Sequence, residues 1–265
     1  MENEIRKRVC LDCKKKLNYT QFCSRNYDLN QLWLKKLWQN AMVELFCCSC
    51  FSKQFERREA LYQTMFQSSE LAKSTADKIL MMGIANTGKS AVLKLINYGT
   101  LNLNLDLLPT KGIKRHLYAL NELEYVLWDV GGAAKYRENY FKHPEKIFKK
   151  AREMLFFIDI KDKKFYKESI NYLAHVFSDK VLKHFPPEFR VNIYFHKFDS
   201  IIKHSYELEL RIEWLMGEIK ELAIPFKYHT HLTSIYNFQE QDLNAFLNSG
   251  ESCEFGDLVA KLFSS

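Results

Sequence analysis

From Lys78 onward the chain alternates between short, nearly continuous apolar runs and longer stretches whose apolar positions recur every three or four residues. The runs "KILMMG", "RHLYAL", "EYVLWDV", "MLFFIDI", "RVNIYF" and "FKYHTHL" read as strands. Between them, "GKSAVLKLINYG", a stretch from about Lys163 to Lys183, and "SYELELRIEWLMGEIKELA" read as helices. A final helical region follows, which "NSGESCEFG" divides into two shorter helices, and "HFPPEF" reads as a loop ahead of a strand. Strands apolar along both faces predict a sheet covered by helices on both sides. Only "RHLYAL" and "EYVLWDV", close together in the chain, predict an antiparallel pair.

Residues 1–76 follow a different pattern, predicting a small cysteine-rich helical extension ahead of an α/β domain over 77–265. "DLNQLWLKKLWQNAMVELF" places Leu34, Leu37, Trp38, Ala41 and Leu45 on one helical face with Asp28 as N-cap, and "SKQFERREALYQTMFQSSELAK" predicts a second helix. Six of the seven cysteines lie in this extension: Cys10, Cys13, Cys23, Cys47, Cys48 and Cys50. In a chain whose start, "MENEIRKRVCLDC", lacks a signal-peptide core, paired CxxC motifs suggest metal before disulfides.

The chain has 265 residues, 47% of them hydrophobic, enough for one ordinary domain plus the extension. No apolar run reaches the roughly 20 residues of a membrane span, so a soluble, cytoplasmic protein is expected, with membrane contact at most peripheral. The formal charge of +7 is spread along the chain rather than gathered in a basic stripe, and no nucleic-acid partner is expected.

Chemistry enters at "GIANTGKS", which satisfies G-x4-G-K-[ST] between an apolar strand and a helix. Gly83, Asn86, Thr87 and Gly88 form the curl, and Lys89, Ser90 and Ala91 open the helix, so that backbone N–H groups point at phosphates. Lys89 reaches the β- and γ-phosphates and Ser90 ligates Mg²⁺. In "WDVGG", Asp129 holds the Mg²⁺ shell and the Gly132 N–H meets the γ-phosphate. Thr110 in "LLPTKGIKR" is the candidate that joins the Mg²⁺ shell only beside a γ-phosphate. Lys89, Thr110 and Gly132 are thus the candidate catalytic groups. "YFHKFD" offers Lys197, whose stem can lie along a purine, and Asp199, which can accept from guanine N1 and N2. In "THLTSIYN", Ser234 and the Ile235 N–H can close over the base. Both segments end strands, where open α/β sheets bind ligands. The nucleotide read here is GTP or GDP. An ATP-using P-loop protein stays as an alternative that Asp199 argues against.

From about Lys78 to Leu262 the chain resembles the Rag/Gtr branch of small GTPases, with Arf-like features. The resemblance rests on "LWDVGG", "ENYF", "HKFD" with His196 in place of the usual Asn, and "LTSIY". It implies a P-loop small-GTPase fold with a six-stranded, mostly parallel sheet and helices on both faces. It also implies a guanine-nucleotide switch recognised by regulators and effectors near Thr110 and Ala133 to Tyr140, with roadblock or longin proteins, or another GTPase, as partners. Three departures stand out: Ala133 replaces the glutamine common after the DxxG glycine, the roadblock-type domain of the family is expected to be missing, and "NSGESCEFG" interrupts the final helical region. A methyl group cannot orient water, so slow hydrolysis is expected, with a nucleotide-bound scaffold that does not turn over as the alternative. Lys135 and Arg137 are expected as merely exposed switch residues, with action in cis as the alternative.

"CLDCKKKLNYTQFC" resembles the opening of a zinc ribbon with Asn26 where a fourth cysteine is usual. Cys10, Cys13, Cys47 and Cys50 are the candidate Zn²⁺ ligands, with Cys23 as substitute. Free cysteines in a decayed ribbon, or an acylated "CCSC" beside an amphipathic helix, remain open at this point. His229 and His231 alternate along a strand, where packing or exposure is the expectation over a metal pair.

Overall fold

The computed structural model describes residues 7–25, 35, 38–39, 45, 47, 49–50, 76–98, 110–120, 123–199, 205–251 and 253–264, which fall into two compact units. The helix expected over "SKQFERREALYQTMFQSSELAK" lies outside them, as does most of the one expected from Asp28 to Leu45. Of the latter, Lys35, Trp38 and Gln39 are helical and Leu45 is not.

In the N-terminal unit a hairpin of two short antiparallel strands, β1 (Arg8–Val9) and β2 (Lys16–Leu17), frames the first CxxC. The turn closes through Cys10 N–H to Lys15 O (2.8 Å) and Lys14 N–H to Cys10 O (3.1 Å), with Lys14 at φ 58. Helix α1 (Tyr19–Arg25) follows, its start capped by Asn18 Oδ1, which accepts from Gln21 N at 3.1 Å. Buried Trp38 lies with its ring centroid 5.2 Å from both Tyr19 and Phe22.

The larger unit is built on a six-stranded sheet of order β4-β5-β3-β6-β7-β8. Its elements in chain order are β3 (Asp77–Met82), α2 (Lys89–Tyr98), β4 (Ile113–Leu120), β5 (Leu123–Val130), α3 (Ala134–Lys142), α4 (Pro144–Ile147), β6 (Ala151–Asp159), α5 (Tyr166–Val176), α6 (Asp179–Leu182), β7 (Arg190–His196), α7 (Tyr206–Glu221), β8 (Tyr228–Thr233), α8 (Glu240–Ser249) and α9 (Phe255–Phe263). Only β4 and β5 pair antiparallel, in register from Ile113 opposite Val130 to Leu120 opposite Leu123; every other pairing is parallel. The expected sheet and its one antiparallel pair are borne out.

The period-two rule places the core on both faces. Leu80, Met82, Met154, Phe156, Ile158, Val191, Ile193 and Phe195 meet Tyr140 of α3, Leu173 of α5 and Leu215 of α7. Their neighbours Ile79, Met81, Leu155, Phe157 and Tyr194 face Val92 and Ile96 of α2, Phe246 of α8 and Leu258 of α9. Two sequence expectations change in detail. The stretch from Lys163 to Lys183 is a 3-10 turn (Lys163–Phe165), α5 and α6, broken where Ser178 Oγ donates to His175 O at 2.8 Å. The final region divides as expected, with Gly250 at φ 72 ending α8.

Candidate functional site

The C-terminal ends of β3, β6 and β7 open onto a cavity of about 430 Å³. It is lined by Ala85, Asn86, Thr87, Gly88, Lys89, Ser90 and Ala91 from the loop and start of α2, by Thr110, Gly132 and Ala133 on one side, and by Lys161, His196, Lys197, Asp199, Ile235 and Tyr236 on the other. Gly83, Asp129 and Ser234 stand behind this wall, each hydrogen-bonded to a residue that lines it.

At one end Lys89 is buried, its ammonium donating to Gly83 O (2.9 Å), Ile84 O (2.7 Å) and Thr87 Oγ1 (3.1 Å). Burial lowers its pKa to about 8, Asp129 opposing this and the Arg137 charge adding to it. A desolvated cation at the mouth of backbone N–H groups and a helix N-terminus is built to meet an anion. Two glycines are required by close approach. Gly88 combines φ 92 with the His196 ring, which a Cβ would meet at 2.5 Å, and a Cβ on Gly132 would lie 2.3 Å from the Ile84 carbonyl carbon.

Beside the loop three oxygen-bearing side chains converge. Thr110 Oγ1 donates to Asp129 Oδ2 at 2.8 Å, Ser90 Oγ reaches the same oxygen at 3.4 Å, and the two hydroxyls are 3.1 Å apart. Asp129 is buried and its Oδ1 has no hydrogen-bond partner. An orphaned carboxylate oxygen beside two hydroxyls fits a hard divalent cation, so the donor set suits Mg²⁺. The strand end is tied to the Thr110 segment: Gly131 N–H donates to Gly112 O at 2.8 Å, and Tyr140 OH bonds Gly112 O (3.0 Å) and Gly131 O (3.3 Å). Tyr140, at the end of the stretch from Ala133, is buried and ties the two segments together.

At the other end Asp199 is held at both oxygens, by Ser234 Oγ (2.6 Å) and Lys161 Nζ (3.0 Å). Lys197, at φ 69 in the left-handed region, donates to Asp159 Oδ2 at 2.6 Å, which fixes its stem along the cavity rim. His196 is buried, paired through Nδ1 with Thr233 Oγ1 at 2.9 Å, and burial drives its pKa down to about 3, keeping the ring neutral. The Ser234 loop is itself braced by α9: Ser234 N–H and Asn237 Nδ2 both donate to Phe263 O, at 2.9 and 3.1 Å.

Sequence reasoning missed Asp159 and Lys161. Their signal is the charged "DIKD" immediately after an apolar strand, where a parallel sheet presents ligand groups. Arg137 is corrected: it ion-pairs with Glu168 of α5, lies over the Tyr172 ring at 5.0 Å and is largely buried, so it neither faces solvent nor reaches the cavity. Lys135 is exposed. His231 bonds Asn192 Oδ1 at 2.9 Å and stacks loosely with His229, a packing role; the sole His/Cys/Asp/Glu cluster of metal-binding geometry among the described residues is Cys10, Cys13, Cys47 and Cys50.

Residues 78–240, more than half of the chain, match the model of the Gtr1/RagA G protein conserved region. The chain belongs to the Gtr1/RagA G protein family. GTP-binding protein GTR1 of Saccharomyces cerevisiae is 27% identical over 157 residues, covering 58% of this chain and 48% of that protein. ADP-ribosylation factor-like protein 3 of Caenorhabditis elegans is 28% identical over 131 residues, covering 49% of this chain and 65% of that one. The chain therefore spans less than two thirds of the length of either relative. Among solved structures, the Arl6 BBS3 small GTPase of Trypanosoma brucei with bound nucleotide analogue GppNp aligns at 14% identity and TM-score 0.49, over 71% of this chain and 99% of that one. The Rag/Gtr resemblance with Arf-related features, read from "LWDVGG" and "HKFD", is borne out.

Proposed function

We infer that this G domain binds GTP and GDP in the 430 Å³ cavity, works as a nucleotide-dependent switch, and hydrolyses GTP slowly. The observation that carries this is one cavity with a buried lysine and helix N-terminus at one end and a doubly anchored Asp199 at the other, matching a phosphate chain and a guanine edge. Asp199 keeps acceptor capacity for guanine N1–H and N2–H, donors that adenine lacks. Lys89 and the loop N–H groups would hold the phosphates, and Ser90, Thr110 and Asp129 would hold Mg²⁺, whose charge offsets that of the phosphates. Thr110 links nucleotide state to surface: its contacts with Ser90 and Asp129 and the Gly112–Gly131–Tyr140 ties make the segment around it answer to what occupies the site.

Slow turnover follows from Ala133 and Arg137. Ala133 lines the cavity with a methyl group that cannot orient water, and Arg137 is committed to Glu168. Intrinsic hydrolysis at or below about 5 × 10⁻⁴ s⁻¹ is expected, and a partner supplying an arginine would raise it by ~10³ or more. The non-hydrolysing scaffold is the limiting case of the same two observations. Regulators, a second GTPase, or roadblock or longin proteins are the partners this reading implies, in the cytoplasm. The test is to identify the nucleotide retained on purification, compete it with GTP and ATP, and follow one equivalent of GTP over hours. GDP or GTP retained with ATP ineffective supports the reading; equal competition by ATP, or turnover faster than about 10⁻² s⁻¹ without a partner, overturns it.

A further inference from the structure

The geometry points to a structural zinc ion held by Cys10, Cys13, Cys47 and Cys50 in the N-terminal unit, a site separate from the nucleotide cavity and independent of the reading above. The four sulfurs all lie within 4.8 Å of one another, although Cys13 and Cys47 are 34 positions apart in the chain. Chance seldom brings four thiols from two distant CxxC pairs together. A tetrahedron with Zn–S bonds of about 2.3 Å has S···S edges of about 3.8 Å, and the Cys13 to Cys47 separation is 3.6 Å. That distance is far beyond a disulfide bond of about 2.05 Å, and the four are free thiols.

The surroundings are those of a thiolate centre. The backbone N–H groups of Cys47, Cys13 and Asp12 donate to the Cys10 sulfur, and that of Cys50 donates to the Cys47 sulfur. Each CxxC therefore folds its own amides back onto its first sulfur, the outer hydrogen bonding that stabilises negative charge on metal-bound sulfur. Leu11 N–H to Leu45 O at 2.9 Å fastens the two segments beside the cluster. Lys14, Lys15 and Lys16 follow the first pair directly and supply positive charge near a centre that carries net −2 as zinc with four thiolates.

Four protein ligands leave no open coordination position, so the site is structural rather than catalytic. It also answers a folding problem. Helix α1 has seven residues, too few to persist alone in water, and the described apolar core around it is Trp38 with Tyr19 and Phe22. Natural domains of fewer than about 70 residues often supplement a small core with a structural metal. Cys23 lies on α1 outside the cluster, which removes it as the substitute ligand.

The test uses the full chain purified without chelator and its metal content by elemental mass spectrometry. About one zinc per chain is expected, lost in both Cys13→Ser and Cys47→Ser and retained in Cys23→Ser. Cobalt exchanged into the site should show the intense visible absorption of a tetrahedral thiolate complex. In the native chain four thiols should resist alkylation until a strong chelator is added, a readout that needs no variant to fold. Bound nucleotide should stay at its native level after chelation of zinc in excess Mg²⁺. Absence of metal with all four thiols reactive, two disulfides in their place, or stoichiometric iron would each overturn the assignment.

Discussion

Gly131 and Gly112 are hydrogen-bonded to each other, yet replacing them should have different consequences. A Cβ on Gly131 would sit 2.5 Å from Thr110 O and 2.8 Å from Gly112 O, both backbone atoms. Relief to ordinary contact requires the Thr110 segment to retreat by about 0.9 Å. That takes the 2.8 Å Gly131 N–H to Gly112 O bond out of range and draws Thr110 from Asp129. One neutral bond at about 1 kcal/mol and one to a carboxylate at about 1.5 to 3 kcal/mol give roughly 2.5 to 4 kcal/mol of lost coupling. If Thr110 engages fully only beside a terminal phosphate, Gly131→Ala should lower the GTP-over-GDP affinity ratio by between about 60- and 700-fold. Gly112 has φ 67 and open space for a Cβ, so Gly112→Ala costs only backbone strain of about 1 to 2 kcal/mol. That cost falls on both nucleotide states and should leave the ratio near its native value. The assay is titration with fluorescent GDP and a fluorescent non-hydrolysable GTP analogue at fixed Mg²⁺, with thermal unfolding as the check on folding. An unchanged ratio in Gly131→Ala, or an equal fall in both variants, would refute the coupling.

Ala133→Gln should restore a water-orienting group and raise single-turnover hydrolysis at least about tenfold; an unchanged rate would show that the missing glutamine is not what limits turnover. Stability should carry a pH signature from Glu153, whose buried carboxyl accepts from Asn192 Nδ2 at 2.8 Å and Gly256 N–H at 3.2 Å and has its pKa raised by burial to about 7. The folded state holds this proton above the unfolded pKa, so the contribution is present in acid and lost as pH rises from about 4.5 to 7, by up to about 3 kcal/mol. Neutral, buried His196 acts in the opposite direction below pH 6.5, so the difference between native protein and Glu153→Gln in urea unfolding at pH 5 and pH 8 isolates the carboxyl. A difference that does not change with pH would count against it.

The strands were legible because β3, β6 and β7 are buried on both faces and read as unbroken apolar runs, and the loop was legible because its glycines have no substitute. Asp129, His196, Lys197 and Asp199 stood out because they follow such runs directly. Lys161 and Asp159 were hidden by looking like ordinary surface charges; only the parallel pairing of β6 with β7, which sets Asp159 opposite His196, brings them to Asp199 and Lys197. Arg137 was misread for the opposite reason. Its place after Ala133 suggested an exposed switch residue, but the turn of α3 carries it onto Glu168, a residue 31 positions away that no local pattern could announce. The pairing of Cys10 and Cys13 with Cys47 and Cys50 was legible as spacing, whereas the displacement of Cys23 was not.

The Phe263 carbonyl receives Ser234 N–H and the Asn237 side chain, while Ser234 Oγ grips Asp199. The end of α9 is therefore a backstop for the wall that carries Asp199, which on the proposed reading would face a guanine edge. A protein that levered α9 outward would loosen Asp199 without touching the phosphates, a route for ejecting nucleotide from behind that leaves the Thr110 side of the molecule free for whatever reads it.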